Sequence, residues 1–396
     1  MAESEIMFVP LGGGDSIGAS CYYLKLGRSN ILLDCGRGFD GGKFSFSPNF
    51  YTLLKFIDSL DCISQVYISH SHLDHVGALP EFLNAAPHCA AYMTQKSLIL
   101  TAHQFNKNFN KNFNKINKLN NFNDVLINRV TPVSFDQSFK FKFNNYNYAV
   151  SFYPAGHIPG AMMTLFEYRD RYKIKNILYT GDYSLRQSAL SGGCVLPDAN
   201  KDIDILIICA VNVLRRERVN YNSLDIIVNK VLRVLKAGRN VYCFAPQLSK
   251  GIELLKALNI NLPENFRIYI DDAVFNLIKK FEVTEPIINY RNYYIDEEPK
   301  DNAPHVTLSA NKPRYKDYML KPVRSRDVFI NANFSLHDDF DLTLKFIKQI
   351  NPKTAVIVHY DGSHKDVSVS VEQELMRDAE CRTQFIFAEN NQAYYL

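Results

Sequence analysis

The sequence predicts an α/β protein in which two packed sheets flanked by helices carry a second, smaller α/β unit. Three observations support that expectation. The first 208 residues are mostly short β-leaning runs separated by turns, and helix and strand patterns alternate from about residue 210 onward. A cluster of His and Asp follows one of the early strands directly, where α/β proteins gather reactive groups. At 396 residues the chain has room for about two or three domains. Its composition, 46% hydrophobic and 22% charged, is ordinary for a globular protein. The 45 Lys and Arg against 41 Asp and Glu leave a net charge of only +4, so charge alone does not name a nucleic acid as partner. Trp is absent, but 27 Phe and 23 Tyr supply aromatic surface for a core or for base stacking.

Taken in order, Ile6 to Leu11 is a strand leading into the cluster Gly12-Gly13-Gly14. Ser20 to Leu26 and Asn30 to Asp34 read as a hairpin around Gly27-Arg28-Ser29. Tyr51 to Ser59 has a helical pattern, Ser64 to Ser69 is a strand, and a helix follows near Leu79 to Ala85. Between Phe105 and Asp124 the text FNKNFNKNFNKINKLNNFND repeats with period four. On a helix, Phe105, Phe109, Phe113 and Ile116 share one face and Lys107, Lys111, Lys115 and Lys118 another. The segment reads as an amphipathic surface helix with its Phe face on the core; a sharper alternative lets its lysines track a phosphate backbone. Tyr148 to Tyr153, Met162 to Tyr168, Lys175 to Tyr179 and Ile203 to Cys209 are further strands. Beyond them, helices over Asn222 to Lys236 and Leu248 to Leu258 flank a strand over Asn240 to Ala245. A charged, irregular stretch spans about 290–326. Strands at Val328 to Asn331 and Thr354 to His359 then enclose a helix over Asp341 to Ile350, and the segment from Phe385 to Leu396 adds a last strand.

No run approaches the roughly 18 apolar residues of a membrane helix, so no membrane partner is expected. The opening MAESEIMFVPLGGG has no basic run ahead of an apolar stretch and does not read as a signal peptide. Eight scattered Cys without a C-x-x-C pair predict reduced thiols in a cytoplasmic protein.

The strongest chemical signal is His70-Ser71-His72-Leu73-Asp74-His75, placed just after the strand through Ser69. A packing role would bury three imidazoles and a carboxylate side by side, desolvating four polar groups without compensation. Coordination of zinc or a similar divalent ion satisfies all four. The glycines of Gly12-Gly13-Gly14-Asp15-Ser16-Ile17-Gly18 do not fit a dinucleotide-binding G-x-G-x-x-G pattern.

His-x-His-x-Asp-His is the signature of the metallo-β-lactamase superfamily, and the chain resembles that family at further points. Asp34 in Leu32-Leu33-Asp34-Cys35-Gly36 is similar to the family's first motif. His157 in Ala155-Gly156-His157-Ile158-Pro159-Gly160-Ala161 resembles the third, and Asp182 in Tyr179-Thr180-Gly181-Asp182-Tyr183-Ser184 the fourth. Phe334-Ser335-Leu336-His337-Asp338-Asp339-Phe340 and Val356-Ile357-Val358-His359 resemble the later motifs of the β-CASP nucleases, the branch that includes the endonucleases of mRNA 3′-end processing and their bacterial and archaeal relatives. The resemblance covers about residues 8 to 365 and is weakest between 259 and 325.

That resemblance implies a metallo-β-lactamase αββα sandwich over 1–208, a shortened β-CASP α/β insertion over 209–334, and a return to the first domain over 335–396. It implies two Zn2+, with Mn2+ as the alternative ion. His70, His72 and His157 would hold one ion and Asp74, His75 and His359 the other. Asp182 would bridge them, and Asp34 would orient a ligand imidazole. Two such ions, roughly 3.5–4 Å apart, can activate a hydroxide for attack and stabilise both oxygens of a phosphodiester displacement. His337, together with Asp74 and Asp182, is then expected to be catalytic, with the His337 imidazole protonating the leaving alkoxide as general acid. Asp338 and Asp339 are placed to raise its pKa or to start the following helix.

One departure stands out. The family carries Asp or Glu just after the strand ending at Ile208, where this chain has Cys209-Ala210-Val211-Asn212. Asp338 or Glu217 is a candidate to replace that acid. The expected function is a zinc-dependent phosphodiesterase that cuts single-stranded RNA as an endonuclease or 5′-to-3′ exonuclease. A DNA nuclease of the same family is the alternative, as is a weakened member that binds RNA or serves in a complex. A homodimer or a complex with other proteins is the expected assembly. The basic stretch Lys312, Arg314, Lys316, Lys321, Arg324 and Arg326 reads equally as a solvated loop or a phosphate contact. His88, His103, His305 and His364 match no motif.

Overall fold

The structure, a computed structural model, describes residues 6–40, 43–112, 128–143, 146–169, 173–198, 201–214, 224–245, 248, 250–281, 293–295, 303–309, 327–332, 334–364, 373 and 383–396. The Phe/Lys repeat beyond residue 112, the basic stretch from Lys312 to Arg326, and Glu217 lie outside the described residues.

In chain order the strands are β1 (Ile6–Gly12), β2 (Cys21–Leu26), β3 (Ser29–Leu33), β4 (Gly38–Asp40), β5 (Lys43–Phe46), β6 (Gln65–Tyr67), β7 (Ala90–Thr94), β8 (Val130–Val133), β9 (Ser138–Phe143), β10 (Tyr146–Pro154), β11 (Met162–Arg169), β12 (Ile174–Tyr179) and β13 (Ile205–Cys209). They continue as β14 (Asn240–Phe244), β15 (Arg267–Ile270), β16 (Tyr293–Ile295), β17 (His305–Ser309), β18 (Asp327–Asn331), β19 (Thr354–Val358), β20 (Gln384–Phe387) and β21 (Tyr394–Tyr395). The α-helices are α1 (Phe50–Leu53), α2 (Leu73–Val76), α3 (Leu79–Ala85), α4 (Gln95–Asn112), α5 (Leu224–Lys236), α6 (Lys250–Asn261), α7 (Asp272–Phe281) and α8 (Phe340–Ile350).

The chain divides into two compact units. One comprises Met1–Gln187, Gly193–Glu217 and His337–Leu396; the other comprises Ser188–Gly192 and Arg218–Leu336. The first unit holds two seven-stranded sheets, ordered β21-β1-β2-β3-β6-β7-β8 and β20-β19-β13-β12-β11-β10-β9. Side-chain alternation along the strands builds its layers. Phe8, Tyr22, Leu24, Ile31, Leu33 and Tyr67 of the first sheet pack with Val150, Phe152, Phe166, Ile207, Val356 and Val358 of the second. The alternate residues Met7, Val9, Tyr23, Leu32 and Val66 turn the other way, onto Leu53, Leu79, Phe82 and Phe105 from the helices. Both faces of the first sheet are therefore dry, which is why its strands read as continuous apolar runs.

The hairpin of β2 and β3 is tighter than expected, since Leu26 pairs with Ser29 and leaves Gly27-Arg28 as the turn, with Gly27 at φ 59°. The helix expected over Tyr51 to Ser59 shrinks to the four residues of α1. Leu53 and Ile57 are buried with Phe50 and Phe56 packed beside them, but the chain past Leu53 runs on as successive turns, and Tyr51, 85% exposed, and Leu54 face solvent.

In the second unit β16-β15-β17-β14-β18 form an all-parallel sheet. On α5, Ile227, Val228, Val231 and Leu235 make a buried stripe at helical spacing. Its core also includes Val241, Ile252, Leu255, Ile268 and Val306.

Strand direction positions the site in the first unit. β12, β13 and β19 run parallel in register, with Ile177 beside Ile205 and Ile205 beside Thr354. β10 points the same way, because it is antiparallel to β11 and β11 to β12. The residues that follow these strands, His157, Asp182 and His359, therefore emerge at one edge of the second sheet. β3 and β6 are likewise parallel and deliver Asp34 and His70 at their own carboxyl ends.

Candidate metal centre

Asp34 is the hub of the first sheet's contribution. Its fully buried carboxylate accepts the Ser69 N–H at 2.6 Å and hydroxyl at 2.7 Å, the Tyr179 hydroxyl at 2.5 Å, and His75 Nδ1–H at 2.7 Å. Three of the four donors converge on Oδ2 and the Ser69 N–H takes Oδ1, so the carboxylate orients Ser69, Tyr179 and His75 together. With Nδ1 held by Asp34, His75 presents Nε2 inward. Because the Ser69 hydroxyl hydrogen goes to Asp34, its oxygen is left to accept His70 Nδ1–H at 2.9 Å. That arrangement assigns the bare lone pair of His70 to Nε2 as well.

The loop carrying the histidines is fixed by short links. His72 caps the four-residue α2 from extended backbone. The Gln104 amide donates to the Ser71 carbonyl from α4. Gly36 lies so close that a Cβ there would sit 1.6 Å from the Asp74 carbonyl oxygen, so only glycine fits. On the opposite edge, His359 follows β19 with φ 57°, a left-handed conformation that costs a non-glycine residue about 1–2 kcal/mol. It is held there by its N–H donating to the Gly13 carbonyl at 2.6 Å and by Nδ1 meeting Ser20 Oγ at 2.9 Å. The glycine cluster thus acts as a backbone support for a ligand.

The side chains converge in two groups whose ligand atoms lie within 4.8 Å of one another: His70, His72, His157 and Asp182, and Asp74, His75 and His359. His72 Nδ1 lies 2.9 Å from His70 Nε2 and 3.2 Å from His157 Nε2. Ligand atoms on a tetrahedral zinc with bonds of 2.0–2.1 Å would be roughly 3.3 Å apart, so this spacing fits a shared cation. Asp182 Oδ2 is 3.5 Å from His75 Nε2, 3.6 Å from His157 Nε2 and 3.8 Å from His70 Nε2. Its Oδ1 is 4.0 Å from His359 Nε2, so Asp182 faces both groups. Asp74 Oδ2 lies 3.9 Å from His75 Nε2 and 3.8 Å from His359 Nε2. Two of these buried atoms, His75 Nε2 and Asp182 Oδ1, have no hydrogen-bond partner. A divalent cation gives both of them one, and the family together with these clusters makes the site a divalent-metal centre.

The electrostatics agree with that assignment. Burial pushes the Asp182 carboxyl up and His75 partly offsets it, while Asp74 and Asp34 add to the rise, giving about 7. Burial pulls His75 down, but Asp182, Asp34 and Asp74 outweigh it and lift it to about 10. His70 and His359 are driven well below the usual imidazole range, by burial first and by His75 second. The neutral His70 and His359 imidazoles, and the carboxylates that hold a proton on His75, form a donor set that a cation can take over by displacing that proton.

His337 Nδ1 is 3.6 Å from Asp182 Oδ2, and its ring faces that of His157 with centroids 4.6 Å apart. Its side chain is 32% exposed. Burial and then the neighbouring imidazoles, His157 first, lower its pKa. Asp338 and Asp339 do not raise it, because both carboxylates are committed elsewhere. Asp338 accepts from Ser184 Oγ at 2.8 Å and the Leu185 N–H at 2.7 Å. Asp339 caps α8 through the Leu342 N–H at 3.1 Å and pairs with Arg186. The Cys209 thiol turns into the space between the sheets, 3.8 Å from the Tyr179 hydroxyl, and burial holds its pKa well above the usual thiol range. Of the unassigned histidines, His88 is exposed beside Asp61 at 3.7 Å. Tyr179, Ser69 and Ser20 escaped the sequence reading, although Tyr179 sits inside the motif that named Asp182.

The sequence model of the metallo-beta-lactamase superfamily matches residues 15–208. A probable RNase MJ4 of Methanocaldococcus jannaschii is 30% identical over 308 residues, covering 76% of this chain and 65% of that protein. Cleavage and polyadenylation specificity factor subunit 3 of Dictyostelium discoideum is 25% identical, covering 89% and 53%. The Integrator complex subunit 11 homolog of the same organism is 29% identical, covering 50% and 26%. This chain thus spans from about a quarter to about two thirds of the length of these relatives. A crystal structure of a protein of unknown function from Enterococcus faecalis V583 superposes with a TM-score of 0.64 at 15% identity, covering 99% of this chain and 100% of that one, and speaks for the fold. No helix among the described residues is long and apolar enough to cross a membrane. The chain carries a metallo-beta-lactamase superfamily domain over residues 15–208 and is similar to proteins named as a probable RNase, a cleavage and polyadenylation specificity factor subunit and an Integrator complex subunit.

Proposed function

We propose that this protein is a zinc-dependent phosphodiesterase that cleaves RNA. The observation that carries the reading is the placement of Asp182 between two ligand groups, with His337 at 3.6 Å from the same carboxylate. In this reading His70, His72 and His157 hold one ion, Asp74, His75 and His359 hold a second, and Asp182 bridges them. When bound, the ions supply Lewis acidity that activates water and offsets phosphodiester charge, and Mn2+ is the alternative to zinc. Asp34 keeps the His75 proton on Nδ1 and so keeps Nε2 available. His337 lies beside the ligands and partly open to solvent, where it can hand a proton to the leaving alkoxide. The negative charge of an arriving phosphate favours its protonated form, against the neighbours that lower its pKa.

RNA is the preferred substrate class because the relatives are named as ribonucleases and RNA-processing subunits. The unit spanning residues 218–336 is read as the β-CASP insertion. Subunit names among the relatives favour work within a complex, and the cysteine usage favours the cytoplasm. A second reading, a weakened member that binds RNA without efficient cutting, is favoured by Cys209. Its buried, neutral thiol cannot supply the charge of the family acid. End-labelled single-stranded RNA incubated with purified protein tests the choice, with matched DNA alongside. The proposal expects RNA cleavage that stops on chelation and returns with zinc or manganese; cleavage unaffected by chelator contradicts it. Intact RNA in the presence of bound metal selects the second reading.

A further inference from the structure

We infer that Asp338 and Asn212 are positioning residues that clamp His337 onto the loop bearing Asp182. The inference rests on the proposed role of His337 as proton donor. Ordinarily an acidic side chain beside a catalytic histidine is expected to pair with the imidazole. Here the Asp338 side chain, 5% exposed, turns to the turn that begins two residues past Asp182, bonding Ser184 Oγ at 2.8 Å and the Leu185 N–H at 2.7 Å. Ser184 is itself tied back, its N–H donating to the Ala155 carbonyl beside the His157 loop at 2.9 Å. From the other side, the buried Asn212 amide donates to the Asp338 carbonyl at 3.0 Å. Asp339 then closes the segment by capping α8 and pairing with Arg186 of the same turn.

The backbone on the carboxyl side of His337 is therefore fixed to three elements, the turn after Asp182, the loop after β13 and the start of α8. The first of these links makes the distance from His337 to Asp182 a property of one local bracket. Asn212 follows Cys209 by three residues, so the loop that lacks the family acid still contributes to the placement of the imidazole, through the backbone instead of through charge. The inference predicts that shape at position 338 matters more than charge. Asparagine can accept from the Leu185 N–H and donate to Ser184 Oγ, whereas alanine can do neither.

The test compares Asp338→Ala and Asp338→Asn in zinc-loaded protein. Two phosphodiesters are used: RNA, whose alkoxide leaving group needs a proton, and bis(4-nitrophenyl) phosphate, whose leaving group does not. Asp338→Ala is expected to lower kcat on RNA about tenfold to a hundredfold, the scale of losing a well-placed general acid. KM and the rate on the nitrophenyl ester stay near wild type, and Asp338→Asn restores most of the RNA activity. An activity-independent readout uses 15N-labelled histidine, with the His337 ring signal identified by its loss in His337→Gln. That signal should shift in Asp338→Ala and stay put in Asp338→Asn. Equal losses on both esters, equal losses in Asn and Ala variants, or an unmoved ring signal in Asp338→Ala overturns the clamp. If wild-type protein cuts neither ester, the nuclease reading fails, and the ring signal alone then decides whether the clamp stands.

Discussion

At the residue scale, three of the five candidate ligand imidazoles have one nitrogen engaged and the other turned to the centre. His75 is held through Nδ1 by Asp34, His70 through Nδ1 by Ser69, and His359 through Nδ1 by Ser20. The clustered residues were legible in the sequence because His-x-His-x-Asp-His is dense and local, and because His157, Asp182 and His359 each sit in a readable motif. The supports were not, since Ser20, Ser69 and Tyr179 belong to residue types found anywhere in a core. Their role exists only once strands distant in sequence are neighbours. The residue scale also sets a pH dependence. Without a cation the Asp182 carboxyl sits at about 7 and His75 at about 10, and both must be deprotonated to act as ligands. Metal loading at neutral pH therefore releases protons, and affinity falls as pH is lowered from 8 to 6. Equilibrium dialysis against buffered zinc across that range, with calorimetry in buffers of different ionisation enthalpy, should show both effects; a flat profile without proton release contradicts them.

At the element scale, the site depends on where strands and helices stop. Helix α8 begins at Asp339, whose carboxylate accepts the Leu342 N–H, and ends at Asn351 in a left-handed conformation at φ 47°. Its buried stripe, Thr343, Leu344, Phe346 and Ile347, anchors the helix that follows His337. Removing the cap with Asp339→Ala is expected to cost about 1 kcal/mol, visible as a lower Tm or denaturation midpoint. No loss of stability would mean that neither the cap nor the Arg186 pair, both made by the Asp339 carboxylate, holds the start of the helix. Helix α8 and strand β19 were readable from periodicity and from a β-branched run. β7, β8, β15 and α7 were not singled out, because Ala90–Thr94 and Val130–Val133 are short and little alternated. The helix expected over Tyr51 to Ser59 has a real buried face in Leu53 and Ile57, but only one helical turn and the turns after it carry that face.

At the scale of the whole molecule, the two sheets of the first unit bring together five strand ends from residues 34 to 359. β12 and β19 lie parallel on either side of β13 even though the second unit's residues separate β13 from β19 in sequence. The family resemblance made this arrangement legible, whereas composition alone gave a near-neutral chain without an evident target. The second unit was harder to read, since its irregular stretch hides one strand of the parallel sheet, β16. The most direct test of the central claim measures metal content and RNA cleavage together, in wild-type protein and in His72→Ala/Asp74→Ala. The account predicts close to two zinc ions and chelator-sensitive cutting in the wild type, with metal lost and cutting abolished in the variant while the fold is retained by circular dichroism. A variant that cuts RNA as fast as wild type after losing its metal would contradict it.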